Sequence, residues 1–333
     1  MLQETSPNRR RFLQNAAIAL GGAHLATTGL AKAQTSKSFS SVKQIDADLL
    51  SIGYAEEGPG ERPPVILLHG WPYDIHSYVD VAPQLASKGY RVIVPHLRGY
   101  GTTRFLSNET FRNGQQSVVA LDIIALMDAL RIQNAIIGGF DWGSRTAAIM
   151  AALWPERCKA IVAVSGYLIT SLAANLKPLP PQAEYGWWYQ YYFATERGKV
   201  GYRDNRNEFN KLIWKNASPK WNFDDATFRR TAASFDNPDH VDIVIHNYRW
   251  RLSLADGESK YDGLERKLFQ GPSITVPTIT MASDFDGPAA DGTSYRSKFT
   301  GKYAHRILKG IGHNVPQEAP REFAQAVIDV GAL

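Results

Sequence analysis

The chain of 333 residues contains a single cysteine, Cys158. No intrachain disulfide can form, and a metal site built on several thiolates is excluded. Within Trp154-Pro155-Glu156-Arg157-Cys158 the thiol reads as packing. Charge of one sign is also scarce. The formal net charge is +5, but Arg9, Arg10, Arg11 and Lys32 against Glu4 place +3 of it in residues 1–33, leaving +2 for residues 34–333. No basic stripe survives, so nucleic acid is not an expected partner. No apolar run has the ~20 residues of a comfortable membrane span, so no stable membrane insertion is expected. Gly-x-Ser-x-Gly occurs nowhere, which argues against an ordinary serine esterase. Internal repeats and low-complexity tracts are absent too. What remains, 44% apolar and 21% charged, is a globular chain with ample core.

Arg9-Arg10-Arg11-Phe12-Leu13 precedes a weakly apolar run from Ala16 to Leu30 and then Ala31-Lys32-Ala33-Gln34. This resembles a bacterial twin-arginine signal with a small-x-small cleavage site. It implies engagement of the twin-arginine translocation machinery, cleavage after Ala33, and a periplasmic or secreted product. A disordered basic tail is the alternative. Export in the folded state agrees with a chain that has no disulfides to form.

From about residue 45, short apolar runs alternate with amphipathic segments. Val65-Ile66-Leu67-Leu68-His69, Tyr90 to Pro95, Ala135 to Phe140 and Ala160 to Val164 read as buried strands. Ser117 to Leu130, with apolar residues three and four apart, reads as a helix. The alternation predicts an α/β fold: a mostly parallel central sheet flanked by helices, with its site in the loops after the strands. The rhythm breaks near Leu168. Residues 168–260 are dense in aromatics and poor in strand-like runs, which predicts an inserted helical cap. Strands resume at Val276 to Met281 and Tyr303 to Leu308, and a helix from Pro320 to Val330 follows. The core is therefore expected to be discontinuous, residues 45–167 and 261–333.

Gly139-Phe140-Asp141-Trp142-Gly143 joins a predicted strand to a predicted helix. The two glycines allow close backbone approach while the central residue is held at the turn. A carboxylate there can attack an electrophilic carbon and leave an alkyl-enzyme ester, which suits epoxides or alkyl halides. A helix N-cap is the competing role for Asp141. An aspartyl ester needs a base to activate water, and Gly310-Ile311-Gly312-His313-Asn314 supplies a histidine just after a strand. That histidine needs an acid to orient it, and Asp284-Phe285-Asp286-Gly287 offers two carboxylates after the preceding strand. The chain order is nucleophile, acid, histidine.

On these motifs the chain resembles the epoxide hydrolase and dehalogenase branch of the α/β-hydrolases, from about residue 45 to the C-terminus. His69-Gly70-Trp71-Pro72 is similar to that branch's HGxP motif. The resemblance implies an oxyanion hole formed by the backbone amides of Trp71 and Trp142. It also implies an Asp141, His313 and Asp286 triad, since counting from Val276-Pro277-Thr278 reaches Asp286 rather than Asp284, which would brace the loop. Leu97-Arg98-Gly99-Tyr100-Gly101 resembles a glycine loop of the fold, but His96 stands where the family usually has aspartate. No cofactor and no metal are implied.

The branch divides on what covers the nucleophile. Epoxide hydrolases of this fold use two cap tyrosines to hold the ring oxygen and protonate the alkoxide. Trp188-Tyr189-Gln190-Tyr191-Tyr192-Phe193 and Asn247-Tyr248-Arg249-Trp250 resemble those segments and point to Tyr189 and Tyr248, with Tyr191 or Tyr192 as alternatives. The expected substrate is a small, apolar epoxide opened to a vicinal diol. A haloalkane or haloacid dehalogenase with the same nucleophile is the rival, with Trp142 as a halide donor. Trp71 departs from the asparagine or glutamate many haloalkane dehalogenases carry there. Trp142 departs from the arginine of haloacetate dehalogenases, although Arg145 follows one turn later. A non-catalytic small-molecule receptor of the same fold is a third reading.

Overall fold

The computed structural model describes residues 38–333. The leader and its expected cleavage site lie outside them. Nine strands form one sheet: β1 (Lys43–Ala47), β2 (Leu50–Glu57), β3 (Arg62–Leu68), β4 (Tyr90–Pro95), β5 (Arg104–Phe105), β6 (Ala135–Gly139), β7 (Cys158–Val164), β8 (Thr278–Ser283) and β9 (Tyr303–Leu308). Their order is β1-β2-β4-β3-β6-β7-β8-β9, with β5 alongside β2. β1, β2, β4 and β5 meet through antiparallel pairs, and every pair from β4 to β9 is parallel. Helices cover both faces, so the central strands are continuous apolar runs rather than alternating ones. β6 is buried along its whole length.

The core helices are α1 (Ala82–Ala86), α2 (Gln116–Ala129) and α3 (Trp142–Leu153). α3 lies close against the sheet because its inner face is small; a Cβ on Gly143 would collide with the Leu68 carbonyl. Between β7 and β8 come α4 (Leu172–Asn175), α5 (Pro181–Gly186), α6 (Tyr189–Ala194), α7 (Glu196–Ala217), α8 (Asp225–Ala232), α9 (His240–Arg251) and α10 (Asp262–Phe269). Glu265 of α10 accepts from Gln116 Nε2 and the Ser117 amide, which fastens α10 to the core helix α2. α11 (Val315–Glu318) and α12 (Pro320–Val330) end the chain. Phe323, Ala324, Ala326, Val327 and Val330 of α12 are buried, the three-and-four spacing of a helix with one apolar face. Among the described residues, no helix is long and apolar enough to cross a membrane.

Register places the site. Leu68 pairs with Gly139 and Gly139 with Ala163, so the loops after β3, β6 and β7 leave one edge of the sheet. Ser283 pairs with Leu308, so the loops after β8 and β9 leave that edge together. Several boundaries differ from expectation by a residue or two, and two of them bear on the site. β8 begins at Thr278 because Pro277 has no amide to donate, and it continues to Ser283. β3 ends at Leu68, which frees His69 to serve the loop.

Candidate active site

Asp141 sits at the turn between β6 and α3 with φ 52° and ψ −121°. A non-glycine residue held there costs about 1–3 kcal/mol, so the surrounding structure must impose it. Its side chain does not cap α3. Instead it points toward the loop after β3, where Gly70 leaves it room: a Cβ on Gly70 would overlap the Asp141 side chain. The Trp71 amide donates to Asp141 Oδ1 at 2.8 Å. The Trp71–Pro72 peptide bond is cis. The Trp142 amide, the other expected donor, makes no hydrogen bond to this carboxylate among the described residues.

His313 Nε2 lies 3.5 Å from Asp141 Oδ2, beside the carboxylate but beyond a good hydrogen bond. Burial alone would raise the Asp141 pKa. The His313 side chain, its charge, Arg145 and the Trp71 amide outweigh burial and hold it below the ordinary carboxylate range. Asp141 is therefore an ionised carboxylate at neutral pH.

The His313 backbone is held from two sides. Its amide donates to Ser218 Oγ at 2.9 Å, and Ser218 Oγ donates to Glu318 Oε1 at 2.6 Å. Glu318 also accepts the Gly312 amide at 2.8 Å and the Asn314 amide at 3.1 Å. Glu318, Ser218 and Tyr73 were not legible as site residues. Tyr73 is fully buried, stacks on His313 with ring centroids 5.6 Å apart, and brings its hydroxyl to 3.3 Å from Nδ1. No motif marks it beyond its place directly after Pro72.

The structure does not bring Asp286 to His313. Asp286 Oδ2 folds back to accept the Ser283 amide at 2.8 Å, in a reciprocal cap that also uses Ser283 Oγ. Phe285 lies edge-on to His313, ring centroids 4.4 Å apart. In this conformation Nδ1 faces Tyr73 and no carboxylate. Asp284 accepts the Gly310 amide at 3.1 Å and Lys220 Nζ at 2.7 Å, tying the β8 and β9 loops together.

Tyr189 and Tyr248 converge over Trp71. Their ring centroids stand 5.0 and 5.2 Å from that indole and 5.4 Å from each other. Tyr248 is buried and Tyr189 half-buried. Burial first, then the Asp141 charge, pushes the Tyr189 phenol up to about 12. Burial first, with Tyr189 and Asp141 adding to it, drives Tyr248 well above the ordinary value. Both remain protonated donors. Tyr191 is exposed and bonded to Glu184, and Tyr192 stacks on Phe209 at 5.8 Å, so neither competes for the position.

The Trp71 indole is itself committed. It donates to Tyr202 Oη at 2.9 Å, and Tyr202 Oη lies 2.9 Å from His240 Nε2. His240 Nδ1 lies 2.9 Å from the Gly99 carbonyl, which can only accept. Nδ1 therefore carries the proton, and Nε2 accepts from Tyr202. Burial lowers His240 to about 3, so this chain stays neutral. The Trp142 indole N–H differs: it is buried and has no partner. His96, the departure in the glycine loop, is packed beneath Gly101, whose φ is 49°. Burial lowers it to about 3, so the site holds a neutral ring where the family usually has an acid.

A family model described as the alpha/beta hydrolase fold matches residues 63–201. Epoxide hydrolase B of Mycobacterium tuberculosis is 30% identical over 160 residues, covering 44% of this chain and 44% of that protein. A haloalkane dehalogenase of Mycobacterium marinum is 31% identical over 134 residues, covering 39% of this chain and 43% of that protein. The chain thus spans less than half the length of these curated relatives. A crystal structure of a Klebsiella pneumoniae protein, provisionally described as an epoxide hydrolase, superposes with a TM-score of 0.87 at 60% identity, covering 90% of this chain and 100% of that one.

Proposed function

The chain belongs to the α/β-hydrolase fold family, and from that premise we propose that it opens epoxides to vicinal diols through an ester on Asp141. The observation that carries this reading is the pair of protonated phenols, Tyr189 and Tyr248, set over the Trp71 ring whose amide holds Asp141 Oδ1.

In the first step Asp141 Oδ2 forms a bond to an epoxide carbon and the ring C–O bond breaks. The departing alkoxide takes a proton from one of the two phenols. In the second step His313 removes a proton from water, which attacks the ester carbonyl carbon. Negative charge then collects on Oδ1, where the Trp71 amide already donates. Collapse expels the diol oxygen as alkoxide, which takes the imidazolium proton, and the proton left on the Asp141 carboxyl returns to the phenolate, restoring both groups. Asp286 is our candidate for the acid behind His313. Filling that role requires its carboxylate to leave the Ser283 amide. The expected export of the protein through its twin-arginine leader belongs to the same proposal.

A single turnover in ¹⁸O-water tests the covalent route. The first diol should be unlabelled, and the label should sit in the Asp141 carboxylate. Label in that first diol would overturn it. The buried, unpartnered Trp142 N–H favours a second reading, in which the leaving group is a halide. Halide release without any epoxide turnover would establish that reading instead.

A further inference from the structure

Two of the arginines that serve structure are ion-paired. Arg98 grips Asp122 with two bonds of 2.6 Å and donates a third to the Asn113 carbonyl. Arg249, near the end of α9, meets Glu196 at 2.8 Å. Arg145, beside Asp141, and Arg251, beside Tyr248, are treated differently. Arg145, one turn along α3 from Asp141, is only 7% exposed. Its amide donates to the Asp141 carbonyl at 3.0 Å, and its Nε to the Leu168 carbonyl at 3.0 Å. Its two terminal nitrogens find no acceptor among the described residues. Arg251, the last residue of α9, stands with its guanidinium carbon 5.7 Å from the Tyr248 ring centroid. Its Nε is buried without a partner. Neither arginine has a carboxylate within ion-pair distance among the described residues.

Burying a guanidinium without an anion is costly, and two near one another more so. The strain registers on Arg145, which burial and then the Arg251 charge bring down to about 10. The Asp141 charge acts on Arg145 in the opposite sense, but Asp141 Oδ1 is engaged by the Trp71 amide and Oδ2 faces His313. Unused guanidinium donors therefore lie beside Asp141 and Tyr248. A planar fork of N–H groups is the complement of a carboxylate.

We infer that Arg145 and Arg251 form a subsite for an anionic substrate group, so that the substrate is an epoxide bearing a carboxylate rather than a wholly apolar one. The substrate class rests on the proposed function, whereas the anion subsite itself does not.

Binding tests the subsite without any turnover. Wild-type protein is titrated calorimetrically with phenylacetate and with its neutral isostere phenylacetamide. The acid should bind about tenfold tighter, a difference of about 1.4 kcal/mol. That preference should vanish in Arg251→Gln and largely persist in Arg251→Lys. Arg145→Gln should also lose it, and the Arg251 pair decides alone if that variant fails to fold. Equal binding of acid and amide by the wild type, or an unchanged preference in Arg251→Gln, would overturn the subsite. Turnover of 3-phenylglycidate against its amide then tests the substrate class, with the acid expected to lead in kcat/KM. Chloride released from chloroacetate, with neither epoxide consumed, would keep the subsite and overturn both the epoxide substrate and the proposed function.

Discussion

The Tyr73 hydroxyl lies 3.3 Å from His313 Nδ1, on the nitrogen where a carboxylate was expected. Tyr73 is buried and stacked on Trp214 at 4.9 Å as well as on His313, so its position is set by packing on both sides. Tyr73→Phe keeps the stacking and removes the hydroxyl. A net hydrogen bond of about 0.5–1.5 kcal/mol predicts a loss of up to ~tenfold in kcat. The slowed step should be ester hydrolysis, so rapid-quench experiments should show more alkyl-enzyme than in the wild type.

Asp286→Asn separates the two candidates for orienting His313. If the carboxylate swings to Nδ1 during the reaction, kcat should fall far more than in Tyr73→Phe, while ester formation stays fast. If kcat is unchanged, Asp286 serves only the cap at Ser283.

The two cap phenols should be separable from the nucleophile. Removing one donor from a developing oxyanion costs on the order of 10²–10³ in kcat. Tyr189→Phe and Tyr248→Phe should each fall in that range on epoxides, and the double variant should be inactive. Because Tyr189 is pushed up to about 12, wild-type kcat should not decline near the ordinary tyrosine value of 10.0. A stopped or pH-stat assay across that range checks this directly.

Asp141 has a folded pKa below its ordinary 3.8, so its ionised form is favoured by folding. That contribution is fully present above 3.8 and is lost as pH falls through the lower folded value. The stability difference between wild type and Asp141→Asn should be constant at neutral pH and change only below 3.8. Urea unfolding at a series of pH values measures it.

Glu318 accepts from Gly312, Asn314 and Ser218 around His313. Glu318→Ala leaves two amides without their partner, and removing one partner of a buried hydrogen bond costs about 1–3 kcal/mol. Thermal unfolding should register that loss, and kcat should drop with it because His313 is no longer held.

The elements with strong local signals were legible. Val65 to Leu68, Ala135 to Gly139 and Ala160 to Val164 are apolar because both faces of a parallel strand are covered, and such runs stand out. Asp141 and His313 were legible because glycines flank them at strand ends. The antiparallel pair β1 and β2 was missed: it lies at the sheet edge, and its mixed polar and apolar residues carry no such run. Tyr73 and Glu318 escaped for another reason. Tyr73 reaches His313 from far away in sequence, and Glu318, although only a turn beyond it, is one more carboxylate in a composition that many surface segments share. Arg145 was visible but its setting was not, because only the fold shows that, among the described residues, no carboxylate forms an ion pair with it. Asp286 shows the limit of counting: spacing chose the residue, but the Ser283 amide competes for its carboxylate.

The loop that carries the Trp71 amide is stitched to the cap at three points. Trp71 Nε1 donates to Tyr202, Trp214 Nε1 donates to the Pro72 carbonyl at 2.8 Å, and Thr231 Oγ1 donates to Asp74 Oδ1 at 2.9 Å. Tyr202 and Trp214 are on α7 and Thr231 is on α8. Swinging these helices away as a rigid lid would break all three bonds at once and loosen the Trp71 amide from Asp141. The Trp71 loop and the helices α7 and α8 are therefore coupled, whereas α4 and α5, whose side chains are largely exposed, take no part in these three bonds.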